Sequence, residues 1–599
     1  MLDVRLVAVA DHSADATVVL ALPTAPDPSA PGTAVDEVPA AVLTDAEIVE
    51  GAAPTDAPGA ATDVEGTPQP AGAHDVGTQP AGGHDLGAQP SAGVSDVEGA
   101  QAASAHDVEG ADLDGGDLEE DGEEDGAEER TAPAVLLGTP YALADTLAAT
   151  LDAWLGDERR PEPPAKGKAG EVATLPLPGG EPAVVLLVGT GDGIEADWRK
   201  AGAALVRAAS GDPEVVLALP TDVTPDAVRG LFEGAILAAY RFTLASDPKP
   251  PTLRSIRVVT EDPERFADAV ARARAVANGT LFARDLVNTP SNIKSPEWFA
   301  AQAVESATVL GIDAQVRGPE WLAANDFGGM LAVGGGSTRG PRLLELRWAP
   351  PGVELHTLRH VVLIGKGITF DTGGISIKPA QGMQMMKKDM GGGAAAVGAV
   401  IAAAEQELPL RVTVLVPLAE NMPSGTAYRP GDVVRHYGGR TSEIFSTDAE
   451  GRMVLGDALA YAVATLHPDV LIDLATLTGG QSVALGKRTA ALFSESDDLA
   501  KALFEAAEQA GERVWQMPLP EDYLEQIDSD VADANNSGGR GAQTATAALF
   551  LRPFTGAARD RWVHIDMSGP AWSDGPNDEL TKGATGWGTR TLSRYLESL

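Results

Sequence analysis

Short, nearly unbroken apolar runs recur through the C-terminal half of the chain: HVVLIG (360–365), RVTVLVPLA (411–419), VLIDLATL (470–477) and WVHIDM (562–567). Runs of this length without polar alternation predict strands buried on both faces. Longer segments between and after them, GGGAAAVGAVIAAAEQ, EGRMVLGDALAYAVATL and DLAKALFEAAEQAG, read as helices. Strand alternating with helix predicts a mostly parallel sheet covered on both sides. An earlier region repeats the pattern. VRLVAVA, TVVLALP, PAVLLG, PAVVLLVGTG, PEVVLALP and IRVVT read as strands, and YALADTLAATLDAWLG, DWRKAGAALVRAAS and DAVRGLFEGAILAAYRF as helices. PERFADAVARARAVANGTLFARDLVNTP reads as a long helix ending before Pro290. The expected fold is α/β in two domains. A smaller N-terminal α/β domain takes in 1–23 and 131–260, a connecting helix 261–289, and a larger C-terminal α/β domain with a mostly parallel central sheet 290–599.

Between the second strand and residue 131 the apolar rhythm stops. Residues 24–130 are Ala, Gly, Pro and acid without aromatics, with a degenerate repeat (AGAHDVGTQP, AGGHDLGAQP, SAGVSDVEGA, SAHDVEGA) and then DLEEDGEEDGAEE. Such a composition buries too little apolar area to offset an ordering entropy of ~1–2 kcal/mol per residue. The segment is expected to be a disordered acidic insertion in a surface loop, with His74, His84 and His106 read as solvated rather than metal-binding. Residues 6–129 hold 28 of the 87 acidic residues and no Lys or Arg, leaving −15 of the −43 net charge to the rest. This balance disfavours nucleic acid and anionic membranes as partners. The absence of cysteine removes disulfides, thiolate metal sites and cysteine nucleophiles. The N-terminal stretch lacks a basic region followed by an apolar core, and the longest apolar run, Met390–Ala404, is shorter than a ~20-residue span. The expected location is cytoplasmic.

Two passages place polar groups directly after buried strands, where open α/β sheets bind ligands. GKGITFDTGGISIKPAQGMQMMKKDMGGG carries Lys366, Asp371, Lys378 and Asp389; STDAEGRMVLGDAL carries Asp448, Glu450 and Arg452 at i, i+2, i+4. In an extended conformation that spacing puts the last three on one face. The competing reading makes Asp448 and Glu450 helix N-terminal acids favoured by the dipole. Lys387 and Lys388 read as surface cations, and no phosphate-loop motif is present to make the glycines a nucleotide site. Converging carboxylates repel and raise each other's pKa; two divalent ions ~3.5–4 Å apart relieve this. The oxygen-rich donor set suits Zn²⁺, Mn²⁺, Mg²⁺ or Co²⁺. A lysine can join it only as a neutral amine, a change of on the order of 4–5 kcal/mol that a dication can supply.

The motifs GKGITFDTGGISIKP, MKKDMGGGAA, TAYRPGDVV, STDAEGRMVLGDAL and DLATLTG resemble those of the leucyl (cytosol) aminopeptidase family, densely over roughly 260–599. That resemblance implies a metallo-exopeptidase that removes N-terminal residues from peptides with a free amine. It also implies two metal ions per subunit (manganese or zinc) and a homohexamer. Carried onto this sequence, the metal ligands are Lys366, Asp371, Asp389, Asp448 and Glu450. Lys378 is catalytic, and Arg452 holds a bicarbonate that acts as general base. Met386, Thr476, Leu477 and Gly479 line the pocket for the first side chain, with Leu- or Met-like residues preferred. Departures are Ser446, where the family usually has Asn, and Gln543, where Gly is usual. The acidic insertion is not a general family feature. His564 reads as a buried structural residue. Some members of the family perform DNA-binding regulation, and such a non-catalytic role is the alternative, which the acidic charge disfavours here.

Overall fold

The computed structural model describes residues 2–8, 17–23, 167–176, 184–539 and 541–599. The expectations for 24–130, and the strand and helix read between 133 and 156, lie outside them. A six-stranded sheet gathers β1 (Asp3–Ala8), β2 (Thr17–Pro23), β3 (Val172–Pro176), β4 (Val184–Gly191), β5 (Glu214–Ala218) and β6 (Ser255–Thr260) in the order β1-β6-β5-β2-β4-β3. The two N-terminal strands therefore do belong to this sheet. Every pairing is parallel except that of β3 with β4. Helices α1 (Glu195–Ala208) and α2 (Pro225–Ala238) pack with the sheet into one apolar core. The helices nearly touch: a Cβ on Gly234 would come within 1.9 Å of Arg199 O, so only glycine fits.

The connecting helix α3 (Ala267–Asn288) leads to a second sheet made from β7 (Asp313–Arg317), β8 (Arg342–Trp348), β9 (His360–Gly365), β10 (Gly367–Asp371) and β11 (Arg411–Asn421). A small ribbon of β12 (Val433–Arg435), β13 (Thr441–Glu443) and β17 (Ala534–Asn535) stands apart. β14 (Val470–Ala475), β15 (Thr489–Ser494), β16 (Arg513–Gln516) and β18 (Trp562–Asp566) complete the large sheet, in the order β16-β15-β18-β14-β9-β11-β8-β7, with β10 beside β11. The four apolar runs read first from the sequence are its four central strands, β18-β14-β9-β11, mutually parallel. Antiparallel pairings occur toward the edges. Alternate residues of each central strand enter different cores. Val361 and Leu363 pack with α4 (Gly391–Glu405), while Val362 and Ile364 pack with α5 (Glu450–Thr465). Burial on both faces is why these strands show no polar alternation. α6 (Gln543–Leu551) joins the α5 side, and the C-terminal α7 (Thr589–Glu597) the α4 side. α3 lies on α4 through a glycine pair, where a Cβ on Gly279 would meet Gly398 O at 2.2 Å.

Candidate metal centre

The carboxyl ends of β9, β10 and β14 and the first turn of α5 converge on one point. Lys366 follows β9 directly, and its backbone N–H donates to Leu474 O at 2.9 Å, which holds it against β14. Its buried side chain runs inward, Nζ 2.8 Å from Asp389 Oδ2 and 2.8 Å from Glu450 Oε1, and donates to Thr476 O at 3.1 Å. A Cβ on Gly451 would fall 2.6 Å from Lys366 Cε, so glycine at the second position of α5 is what admits this lysine. Asp371 ends β10. Its Oδ1 accepts from Gly373 N (2.8 Å) and Asn421 Nδ2 (2.9 Å), and its Oδ2 lies 2.8 Å from Lys378 Nζ. Lys378 also pairs with Asp448. The two lysines differ in exposure, with side chains 3% accessible for Lys366 and 21% for Lys378. Lys366 is thus an interior group, and Lys378 stands at the rim, partly open to solvent.

Asp371, Asp389 and Glu450 each offer an oxygen within 4.8 Å of the others. Asp389 Oδ2 and Glu450 Oε1 are buried without a well-angled hydrogen-bond donor. The electrostatics are lopsided, with four carboxylates facing two ammonium groups. Burial, then Glu450, raises the Asp371 carboxyl despite Lys378. Burial pushes Asp389 well above the usual range, with Lys366 opposing and Glu450 and Asp371 adding to the rise. Burial, Glu450 and Asp371 bring Asp448 up to about 6. Glu450 alone is held down, because Lys366 and Lys378 outweigh its burial. The same carboxylates raise both lysines against the effect of burial. Hard, buried oxygen donors in excess over their counter-charge fit a divalent cation.

The backbone at 448–452 differs from the extended segment the spacing predicts. Asp448 lies in a turn and Glu450 opens α5, so Glu450 sits in the first helical turn, as the competing reading had it. Glu450 and Arg452 cannot then share a strand face; Glu450 still reaches the centre because α5 starts beneath it. Arg452 is buried, with Nε and Nη1 lacking hydrogen-bond partners, and burial lowers its pKa to about 10. Thr476 donates through Oγ1 to Asp389 Oδ1 at 2.7 Å. Leu477 is half-buried and would meet a Cβ on Gly451 at 2.8 Å; Met386 is half-buried, and Gly479 is exposed. Ser446 accepts through Oγ from Asp448 N at 3.2 Å. Gln543, at the start of α6, packs against Gly480. Lys387 and Lys388 are not free surface cations: both are half-buried, donating to Asn288 O (3.0 Å) and Ser568 O (2.8 Å). His564 is fully buried, its Nδ1 2.6 Å from Asp473 Oδ1.

The sequence pattern left Asn421 and Thr447 unread. Asn421, the last residue of β11, donates to Asp371 Oδ1 and to Thr447 O, and Thr447 Oγ1 donates to Gly373 O at 2.6 Å. Together they stitch the β10 loop to the Asp448 turn. The polar pair Glu420–Asn421 closing the apolar run of β11 was the available signal.

Residues 281–593 match the cytosol aminopeptidase family, catalytic domain, and residues 162–246 the N-terminal domain of the same family. The chain belongs to the cytosol aminopeptidase family. As a member it is a metal-dependent aminopeptidase, a hydrolase acting at peptide N-termini. A probable cytosol aminopeptidase of Syntrophotalea carbinolica is 42% identical over 458 residues, 72% of this chain and 89% of that protein. One from Streptomyces avermitilis is 44% identical over 455 residues, 72% and 87% of the two chains. Among solved structures, the bottromycin maturation enzyme BotP in complex with Mn superposes with a TM-score of 0.67 at 41% identity, covering 72% of this chain and 94% of that one. A mutant of tomato leucine aminopeptidase superposes at 0.66 and 33% identity, covering 76% and 88%. Among the described residues, no helix is long and apolar enough to cross a membrane.

Proposed function

We propose that this family member removes N-terminal residues from peptides with a free α-amine, using two divalent ions, manganese or zinc, held by Lys366, Asp371, Asp389, Asp448 and Glu450. The observation that carries this reading is the excess of carboxylate over ammonium at the ends of β9 and β10, with Asp371, Asp389 and Glu450 close enough to share one cation. A structural relative, the bottromycin maturation enzyme BotP, was solved in complex with Mn, which supports a divalent metal here.

Bound there, divalent ions supply Lewis-acid polarisation and a nucleophile that forms near neutral pH. The chain's own groups do the rest. Lys378, kept protonated by Asp371 and Asp448, donates a hydrogen bond to the scissile carbonyl oxygen as negative charge develops on it. Arg452 presents two unpartnered N–H groups suited to an oxyanion, and bicarbonate fits them; the role of that anion is to accept a proton. Thr476 orients Asp389. Met386, Thr476, Leu477 and Gly479 border the first side chain's place, and the departures at Ser446 and Gln543 bear on which residue is preferred. An apolar border favours Leu- or Met-like residues, each methylene discriminating by ~1–3 kcal/mol.

The division into 1–23 with 131–260, 24–130, 261–289 and 290–599 belongs to this reading, as do a cytoplasmic setting in peptide catabolism, a homohexamer, and the lack of nucleic-acid and membrane partners. Metal analysis of the purified protein, combined with a panel of aminoacyl p-nitroanilides, tests it. Two equivalents of transition metal and turnover of the Leu or Met substrate are expected; efficient turnover by protein stripped of metal would overturn it.

A further inference from the structure

Lys294 lies between the connecting helix and the larger sheet's elements and is fully buried, yet its Nζ has only neutral acceptors around it. Two belong to the C-terminal turn of α3: Leu286 O at 2.9 Å and Val287 O at 3.2 Å. The other two flank Asp389: Lys387 O at 2.6 Å and Met390 Sδ at 3.2 Å. Lys387 returns the link, its Nζ donating to Asn288 O at 3.0 Å. Burial with no counter-charge, with Lys387 nearby, pushes the pKa of Lys294 well below the ordinary lysine range, a penalty an apolar side chain of equal length would not carry. What the lysine adds is direction. Its one nitrogen ties the last carbonyls of α3 to a backbone carbonyl on one side of a single carboxylate and to a side-chain sulfur on the other. That carboxylate stands at the end of a short turn, Gln384–Lys388, and owes its orientation to this anchor on one side and to Thr476 on the other.

We propose that Lys294 is a positioning residue for Asp389, clamping Lys387 O and Met390 against the end of α3 so that the carboxylate meets a metal ion in a fixed place. This rests on the reading of Asp389 as a metal ligand.

The test is calorimetric titration of the full-length, metal-stripped protein with Mn²⁺ alone, with far-UV circular dichroism as the control for folding. Three variants are compared: Lys294→Met, Lys294→Gln and Asp389→Asn. Outer contacts of this kind change metal affinity by ~10–100-fold when removed. Folded Lys294→Met is expected to lose at least about 10-fold in the affinity of one Mn²⁺ equivalent. Lys294→Gln, a polar but shorter side chain that cannot span both backbones, is expected to lose affinity in the same direction and serves if the methionine variant does not fold. If Asp389→Asn sheds a Mn²⁺ equivalent while a folded Lys294 variant binds like the parent, the positioning role is overturned and the ligand assignment stands. If Asp389→Asn itself binds both equivalents unchanged, the ligand assignment is what fails. Loss of fold in both Lys294 variants would overturn the proposal too, since Lys294 would then serve the fold as a whole.

Discussion

Thr476 Oγ1 donates a 2.7 Å hydrogen bond to Asp389 Oδ1, so the residue that follows β14 fixes a carboxylate 87 positions earlier in the chain. The same threonine gives its backbone carbonyl to Lys366 Nζ. Replacing it with the isosteric valine removes the hydroxyl and leaves the carbonyl. Thr476→Val is expected to weaken metal binding by ~10-fold or more while secondary structure is retained. A Mn²⁺ titration reads this directly, and parental affinity would show that Asp389 needs no such partner.

Chelation gives a coarser check on the same centre. Removing metal should abolish hydrolysis of Leu-p-nitroanilide, and Mn²⁺ or Zn²⁺ should restore it. Undiminished activity after exhaustive dialysis against chelator would sink a metal mechanism altogether.

The rim lysine is expected to behave differently from the interior one. Lys378→Ala should lower kcat by on the order of 10²–10³, while both metal equivalents remain bound by elemental analysis. Metal loss in this variant would make Lys378 a structural counter-ion instead.

Substrate blocking probes the amine. N-acetyl-Leu-p-nitroanilide is expected to be inert at concentrations where the free amine is cleaved. Comparable rates for the two would point to an amidase of another kind.

Away from the centre, Glu233 of α2 is buried among Arg199, Arg590 and Arg594, at 3.0, 3.5 and 3.1 Å, the last two on α7. Burial would raise its pKa, but the arginines outweigh it and hold the group at about 2, against 4.5 unperturbed. The folded state therefore prefers the ionised form. Its stabilisation is complete above about pH 4.5 and is lost progressively as the pH falls toward 2. Thermal melts should show a steeper loss of Tm across this window in the parent than in Glu233→Gln. That variant should also be less stable at neutral pH by about 3–5 kcal/mol, because the arginines lose a buried partner. Parallel Tm-against-pH curves would count against the linkage.

What the sequence disclosed follows from where side chains point. β9, β11, β14 and β18 are legible because both faces are buried and the run is apolar throughout. β3, β7, β8, β15 and β16 went unread because they lie toward sheet edges, are short or mix charge with apolar residues, as in RLLELRW. At the centre, residue types and motif order were enough to nominate Lys366, Asp371, Asp389 and Glu450, which the fold brings together. The conformation of 448–452 was not readable, since i, i+2, i+4 spacing does not distinguish a strand from a turn entering a helix. Partners separated by tens of residues, such as Asn421 with Asp371 or Lys294 with Lys387, leave no local pattern at all.

The register around β4 has a practical corollary. Pro23, at the end of β2, aligns with Gly191, and Val172, which begins β3 on the other side of β4, aligns with Val188. Two strand spacings and three residues of offset separate these ends by on the order of 15 Å. The chain thus leaves the sheet and rejoins it through two neighbouring ports at the same rim, on the six-stranded sheet and not the one that carries the carboxylate cluster. Bridging such a gap takes a handful of residues, and closure entropy grows only with the logarithm of what is threaded between. Excising 24–130, or splicing a reporter domain there, should leave peptide hydrolysis intact, making this rim a natural splice point for re-engineering the enzyme.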